Sequence, residues 1–351
     1  MRSIVGGAIT CRADAFSGLS LMWLEAEDSS AVSFVAMVDS EQLRAKFLGS
    51  LLGAALGDAL GASREGHRMA ARYDGGLVTA IAGPLIYTDD THMTIGIAES
   101  LVDCRGFDGA HMASRFVDNY AREPWRGYGP GPPRVFRRIA AGEAWDQASA
   151  HVYPGGSFGN GAAMRVSPVG LLLWNDPTKL RQVAHGSSLI THSHPLGVEG
   201  AALQAMAVAM AVAEDPANPL DTPFFVSRLR DWCTEDVYHS RLDRFSWLLE
   251  RVDERTEVVA QLGHGIEAFN SVPTAIFSFL SHAADFVSTV TYAVSLGGDT
   301  DTIASMAGAI SGAYLGVDAL PLDWQERLEN RDYISQLADR LWRVAAGEGL
   351  L

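Results

Sequence analysis

Gly49, Gly53, Gly57 and Gly61 recur at every fourth residue of a stretch in which Phe47, Leu51, Leu52, Ala55 and Leu56 keep helical spacing. Each glycine costs a helix about 1 kcal/mol against alanine. A face built of them therefore needs compensation from a close-lying neighbour, either a ligand or, more simply, a second helix. Small residues mark other helical stripes in the same way: Gly96 beside Met93, Ile97 and Leu101, and Gly308 and Gly312 among Ile303, Met306, Ala307, Ile310 and Tyr314. Leu203 to Ala213 and Leu337 to Ala345 also carry a helical period, whereas alternating runs of β-branched residues are scarce and no long repeat recurs. The fold class expected is all-α.

With 351 residues, 48% apolar and 20% charged, the chain has the balance of a globular protein. Its length suits about two domains of roughly 150 residues, or one helical domain large enough to bury its own core. Residues 1–36 show no period and read as a poorly packed extension. Met37-Val38-Asp39-Ser40-Glu41 looks like an alternative start leading into a helix cap, so this extension could equally reflect a choice of start site. Peptides from before Met37 in the native protein would exclude that.

Lys and Arg number 27 against 42 Asp and Glu, a formal net charge of −15. Nucleic acid is not an expected partner for such a surface, and a polyanionic ligand would have to be met by local donors, helix N-termini or metal ions. Cys11, Cys104 and Cys233 are widely spaced, which suits neither a disulfide framework nor a zinc site and points to a reducing, cytoplasmic setting. The first residues form too short an apolar run for a signal peptide. The longest apolar stretch, Ala201 to Ala213, falls short of the roughly 20 residues that cross a bilayer. No membrane segment is expected, and without a heptad seam a monomer is expected.

Two threonine-flanked acidic clusters precede helices: Thr88-Asp89-Asp90-Thr91 and Gly297-Gly298-Asp299-Thr300-Asp301-Thr302. One cluster alone reads as an ordinary N-cap. Two supply four carboxylates and several hydroxyls, the hard oxygen ligands that Mg²⁺ or Ca²⁺ prefers. If folding joins them, their repulsion raises their pKa values unless cations neutralise it, and a binuclear Mg²⁺ site answers that economically. The stretch Gly155-Gly156-Ser157-Phe158-Gly159-Asn160-Gly161 leads toward an apolar helix expected from Ala162. Such a loop offers backbone N–H groups and a positive helix end to phosphate, although alone it serves equally well as a turn. Phe158 and Tyr153 are candidates to stack on a base or simply to pack. Glu65, alone at a helix end, reads as solvent-facing, and His192 in Thr191-His192-Ser193-His194 as a packing or hydrogen-bonding residue rather than a metal ligand. No serine elbow or cysteine nucleophile is indicated.

Taken together, Gly57-Asp58-Ala59-Leu60-Gly61 with Glu65, Tyr87-Thr88-Asp89-Asp90-Thr91, Gly156 to Arg165, and Ser295 to Ala304 resemble the ADP-ribosylglycohydrolase family in order and spacing, over roughly residues 43–345. Arg126-Gly127-Tyr128-Gly129 and Gly265 to Ile276 look most like the branch that removes ADP-ribose from serine. The resemblance implies a single orthogonal multi-helix domain, here 37–351, holding two Mg²⁺ ions, with Mn²⁺ as the alternative. By that resemblance Thr88, Asp89 and Asp90 serve one ion, Asp299 and Thr302 the other, and Asp301 both. Glu65 occupies the position of a mobile glutamate that covers the metals when substrate is absent and acts in proton transfer during hydrolysis through an oxocarbenium-like state. Gly155, Gly156, Ser157, Gly159, Asn160 and Gly161 hold the diphosphate, Phe158 packs on adenine, and Asp89, His192 and Ile266 contact ligand.

Phe158 and His264 stand where the branch member that the chain most resembles has tyrosine and asparagine, which bears on adenine affinity or acceptor preference and leaves the metal set untouched. The activity so implied is Mg²⁺-dependent release of ADP-ribose from an O-linked acceptor: serine on proteins, with poly(ADP-ribose) or O-acetyl-ADP-ribose as further conjugates. The alternatives are an arginine-specific ADP-ribosylhydrolase and a non-catalytic ADP-ribose binder; the intact acidic clusters and Glu65 argue against the latter.

Overall fold

The computed structural model describes residues 40–66, 69 and 81–347; the extension expected at 1–36, and the start considered at Met37, lie outside them. Among the described residues the regular structure is helical, with two isolated β-bridges, Leu85 with Leu328 and Gly159 with Glu267. One contiguous apolar core runs through it, with a small satellite of Val135, Ala148 and Val152, as a single domain requires. Asp108, Asp176, Asp221 and Asp285 each accept a backbone N–H at a helix start, so part of the acidic excess serves as caps.

Four helices form the centre: Ser40–Ala62, Pro195–Ala213, Ala268–Ser281 and Thr300–Leu315. The glycine face of the first finds its neighbour in the last. A Cβ on Gly49 would lie 2.4 Å from the Gly312 oxygen, on Gly53 2.4 Å from that of Gly308, on Gly57 2.1 Å from that of Ala304, and on Gly61 2.4 Å from that of Thr300. The pairing runs backward along the partner in steps of four, so the helices are antiparallel, backbone against backbone. The ligand considered for this face is not needed to explain it. The C-terminal end of the first helix is thereby set against the N-terminal end of the last, where Thr300 Oγ1 donates to the Gly61 carbonyl at 2.9 Å.

Gly57→Ala drives a methyl into a backbone that cannot yield locally. Overpacking of this kind costs about 1–3 kcal/mol, and calorimetry should show a melting temperature lower by several degrees. An unchanged Tm would contradict the close registry.

Pro195–Ala213 is longer than the apolar stretch expected from sequence. Its length and hydropathy meet the measure of a membrane span, but 89% of its 18-residue window is buried in the fold, which accounts for its apolarity by packing. It begins earlier than the purely apolar run because Glu199, inside it, is compensated through space by Arg181 at 2.8 Å and the Thr234 N–H at 2.8 Å. At its other end the buried Lys46 amine donates to the Ala211, Val212 and Glu214 carbonyls, capping the helix C-terminus.

Candidate active site

Antiparallel packing of the glycine-faced helices decides where the acids meet. Glu65 lies just past the end of the first helix, and Asp299 and Asp301 open the last. Glu65, Asp299 and Asp301 each present a carboxylate oxygen, all within 4.8 Å of one another. The Gly66 N–H donates to the Gly298 carbonyl at 2.9 Å, fastening the two segments. Gly297 and Gly298 have φ of 74° and 77°, a left-handed turn that glycine tolerates, and a Cβ on Gly298 would strike the His264 carbonyl at 2.2 Å.

The second cluster arrives on the helix Asp89–Cys104, and a fully buried acid fixes its position. Asp58 Oδ1 accepts from the Thr88 hydroxyl at 2.8 Å and Oδ2 from the Thr91 hydroxyl at 2.6 Å, and the backbone N–H groups of both threonines donate to it at 3.0 Å. The two clusters then meet where Thr302 Oγ1 donates to Asp90 Oδ2 at 3.3 Å. Asp58, which motif reading passed over, is the residue that positions this cluster. Its signal was an acid embedded in a Gly, Ala and Leu helix, where an unpaired charge has no reason to be.

The electrostatics are those of crowded, buried carboxyls. Burial, then Asp299, pushes Asp301 up to about 9. Burial, then Asp58, pushes Asp89 up to about 7 and Asp90 well above the carboxylate range. Asp299 is raised by burial against the pull of Asn160, and Glu65 by burial and by Asp299. Asp90 Oδ1 is buried without a hydrogen-bond partner. Carboxylates, threonine hydroxyls and an orphaned oxygen gathered in one place form a donor set that fits a hard divalent ion.

The Gly155 to Gly161 loop closes one side. Gly155 and Gly156 have φ of 86° and 84°, and Asn160 turns its amide to Asp299 Oδ2 at 2.5 Å and Ser271 Oγ at 3.1 Å. The Asn160 N–H donates to the Ile266 carbonyl at 2.8 Å and the Ala268 N–H to the Phe158 carbonyl at 3.0 Å, so the loop is stitched to residues 266–268. The helix expected from Ala162 is not formed there. A three-residue turn, Asn160–Ala162, is followed by a short helix, Ser167–Leu172, because Asn160 must reach Asp299 while Arg165 is drawn into the core. A long helix dipole is therefore not aimed at this loop, whose donors are its own amides. Ser157 Oγ accepts from the Gly159 N–H at 3.2 Å.

Phe158 and Ile266 remain 45% and 67% exposed, and the Phe158 ring lies 6.0 Å from that of Phe269, an open apolar surface beside the loop. Tyr153 instead packs on Gly131. His192 is buried against Gly159 and Gly161, whereas His194 accepts from the Leu196 N–H at 3.1 Å as a helix cap; the two histidines do not form a metal pair. Across the site, Gly127 approaches Thr88 and Asp89, and the next residue, Tyr128, bonds His92 Nδ1 at 2.9 Å. Nearby Arg126 holds the Tyr87 carbonyl at 3.2 Å and Glu329 at 2.6 Å.

A sequence model of the ADP-ribosylglycohydrolase family matches residues 39–350. The protein named ADP-ribosylhydrolase ARH3 of Homo sapiens is 38% identical, over 74% of this chain and 79% of its own. The protein of the same name from Danio rerio is 36% identical, over 90% of this chain and 94% of its own. A solved structure described as an ADP-ribosylglycohydrolase-related protein complex superposes with a TM-score of 0.66 at 25% identity, covering 87% of this chain and 99% of the other.

Proposed function

The chain belongs to the ADP-ribosylglycohydrolase family and is an ADP-ribosylhydrolase, and we propose that it uses two Mg²⁺ ions, replaceable by Mn²⁺, to release ADP-ribose from the serine oxygen of modified proteins. The observation that carries this reading is the convergence of Glu65, Asp299 and Asp301 within 4.8 Å, with Asp90 joined to them through Thr302. Poly(ADP-ribose) and O-acetyl-ADP-ribose share the O-glycosidic bond and are further substrates of the same kind. The serine preference is supported by the resemblance of residues 126–129 and 265–276 to that branch.

Thr88, Asp89, Asp90, Asp299, Asp301 and Thr302 would hold the ions, with Glu65 covering them until substrate binds. Divalent cations bound there would neutralise the acids and would supply the orientation of the distal ribose and of a water. The chain's own groups do the rest. The Gly155 to Gly161 loop receives the diphosphate through amides other than those of Gly156, Gly159 and Asn160, which bond Tyr153, Ser157 and Ile266, and Phe158, with Phe269 behind it, offers a face to adenine. Asn160 holds Asp299 at 2.5 Å and so orients a carboxylate that faces the ribose. Breaking the C1″–O bond requires a proton on the departing oxygen, and adding water to C1″ releases one. The Glu65 carboxyl, at the mouth and held upward by burial and Asp299, is suited to carry that proton.

The test follows ADP-ribose release by chromatography from matched serine- and arginine-modified peptides, with Mg²⁺ or with chelator, using Asp299→Ala as control. Release from serine only, lost with chelator and in the variant, is expected. Release from arginine alone would move the acceptor to an N-glycosidic bond, and no release from either, despite ADP-ribose binding, would overturn the catalytic reading.

A further inference from the structure

Arg165 is fully buried, and the acids beside the site do not pair with it. Its Nη1 donates to Thr191 Oγ1 at 2.8 Å and its Nη2 to the Ser187 carbonyl at 3.0 Å. The guanidinium lies 4.7 Å from the centre of the Phe116 ring, and its Nε has no hydrogen-bond partner. Among the described residues no carboxylate forms an ion pair with it, in a chain whose net charge is −15. A buried cation held by neutral oxygens costs stability, and a role beyond the atoms it touches accounts for its being kept there.

The next contact tells what. Thr191 Oγ1 also lies 2.8 Å from His192 Nδ1. A hydroxyl has one proton and two acceptor sites; Arg165 uses one of the sites, and among the described residues Nδ1 is the acceptor that Thr191 Oγ1 has for its proton. Thr191 therefore donates to Nδ1, and the neutral imidazole must carry its own proton on Nε2. Burial, then Arg165, holds His192 down at about 3, so the ring stays neutral. Nε2 faces the loop: it lies 3.4 Å from where a Cβ on Gly159 would be and 3.0 Å from the same point on Gly161. The imidazole occupies the space that side chains at those two positions would fill.

We propose that Arg165 and Thr191 are positioning residues which fix His192 as a one-way donor at the Gly155 to Gly161 loop, toward the diphosphate of the substrate. The loop itself contains no lysine or arginine, and Arg165 acts on the phosphate from behind, by polarising Thr191 and the ring. This deepens the ADP-ribose reading and rests on it.

Selective ¹⁵N-histidine NMR of the ligand-free protein reads the tautomer directly, with the His192 signal assigned by its loss in His192→Gln. The expected result is an Nε2-protonated ring in the wild type and in Thr191→Ser, and loss of that fixed state in Thr191→Val. ADP affinity, measured by calorimetry, should fall about tenfold or more in Thr191→Val, the scale of one charge-assisted hydrogen bond, and recover in Thr191→Ser. Adenosine affinity should not change. Arg165→Met should act in the same direction; Thr191→Val, nearly isosteric, carries the test where the methionine variant fails to fold. An Nδ1-protonated ring in the wild type, or ADP affinity in Thr191→Val within twofold of wild type, overturns the proposal. Failure of the wild type to bind ADP overturns the ADP-ribose reading instead, and the tautomer, read without ligand, separates the two failures.

Discussion

Asp301→Asn should make the metal-free protein more stable while removing most of the stabilisation that Mg²⁺ confers. Asp301 is held at about 9 by burial and Asp299, and Asp89 at about 7 by burial and Asp58. Unfolded, such carboxyls titrate near 4. A group whose folded pKa lies above its unfolded value contributes stability that is fully present below the unfolded pKa and is lost as pH rises through the folded one. The metal-free protein should therefore lose stability from about pH 4 to about pH 9, as buried like charges accumulate beside one another. Asparagine keeps the bond that Asp301 Oδ1 accepts from the Thr302 N–H at 2.9 Å, so the variant removes charge with little change of shape. Calorimetry in chelator should show its Tm a few degrees above wild type at pH 8 and a shallower fall with pH. A ligand at a hundred times its Kd stabilises by about 2.7 kcal/mol, and that gain, expected in the wild type with Mg²⁺, should nearly vanish in the variant. A wild-type Tm in chelator that climbs from pH 5 to pH 9, or an unchanged Mg²⁺ shift in Asp301→Asn, would contradict this account of the acids.

Which parts of this site could be read from the chain alone follows from the range of the forces involved. The glycine stripe at 49–61 and the small residues at 308 and 312 are local patterns, and both were visible as faces seeking a neighbour. That they seek each other, and in antiparallel sense, depends on packing across some 240 residues and is visible only in the close approaches of Gly53 to Gly308 and Gly57 to Ala304. The acidic clusters were legible because hydroxyl-flanked carboxylates ahead of a helix are distinctive. Asp58 was not singled out, since its partners, Thr88 and Thr91, lie a segment away and only the fold joins them. The stretch after Gly161 misled for the converse reason. Ala162, Ala163 and Met164 have local helical propensity, yet the pull of Asn160 toward Asp299 and of Arg165 toward Thr191 outweighs it.

Glu65→Gln should leave ADP-ribose affinity within a few-fold of wild type and lower turnover by roughly two to four orders of magnitude, the contribution of a positioned proton carrier. The reason lies in how Glu65 is held. Its segment is fastened by the Gly66 N–H to the Gly298 carbonyl at 2.9 Å, and its carboxylate is one of three within 4.8 Å, yet the side chain is exposed at the mouth while Asp299 and Asp301 are buried. Burial and repulsion from Asp299 raise its proton affinity, the direction that suits a group which takes up a proton and gives it up within one turnover. Glutamine keeps the shape and loses the titratable proton. A loss of binding equal to the loss of turnover would mean that Glu65 holds substrate or metal. Single-turnover release from a serine-modified peptide, with calorimetric ADP-ribose binding on the same samples, separates the two. Turnover within threefold of wild type would remove Glu65 from the proton transfer and leave that task to a water or to one of the deeper acids.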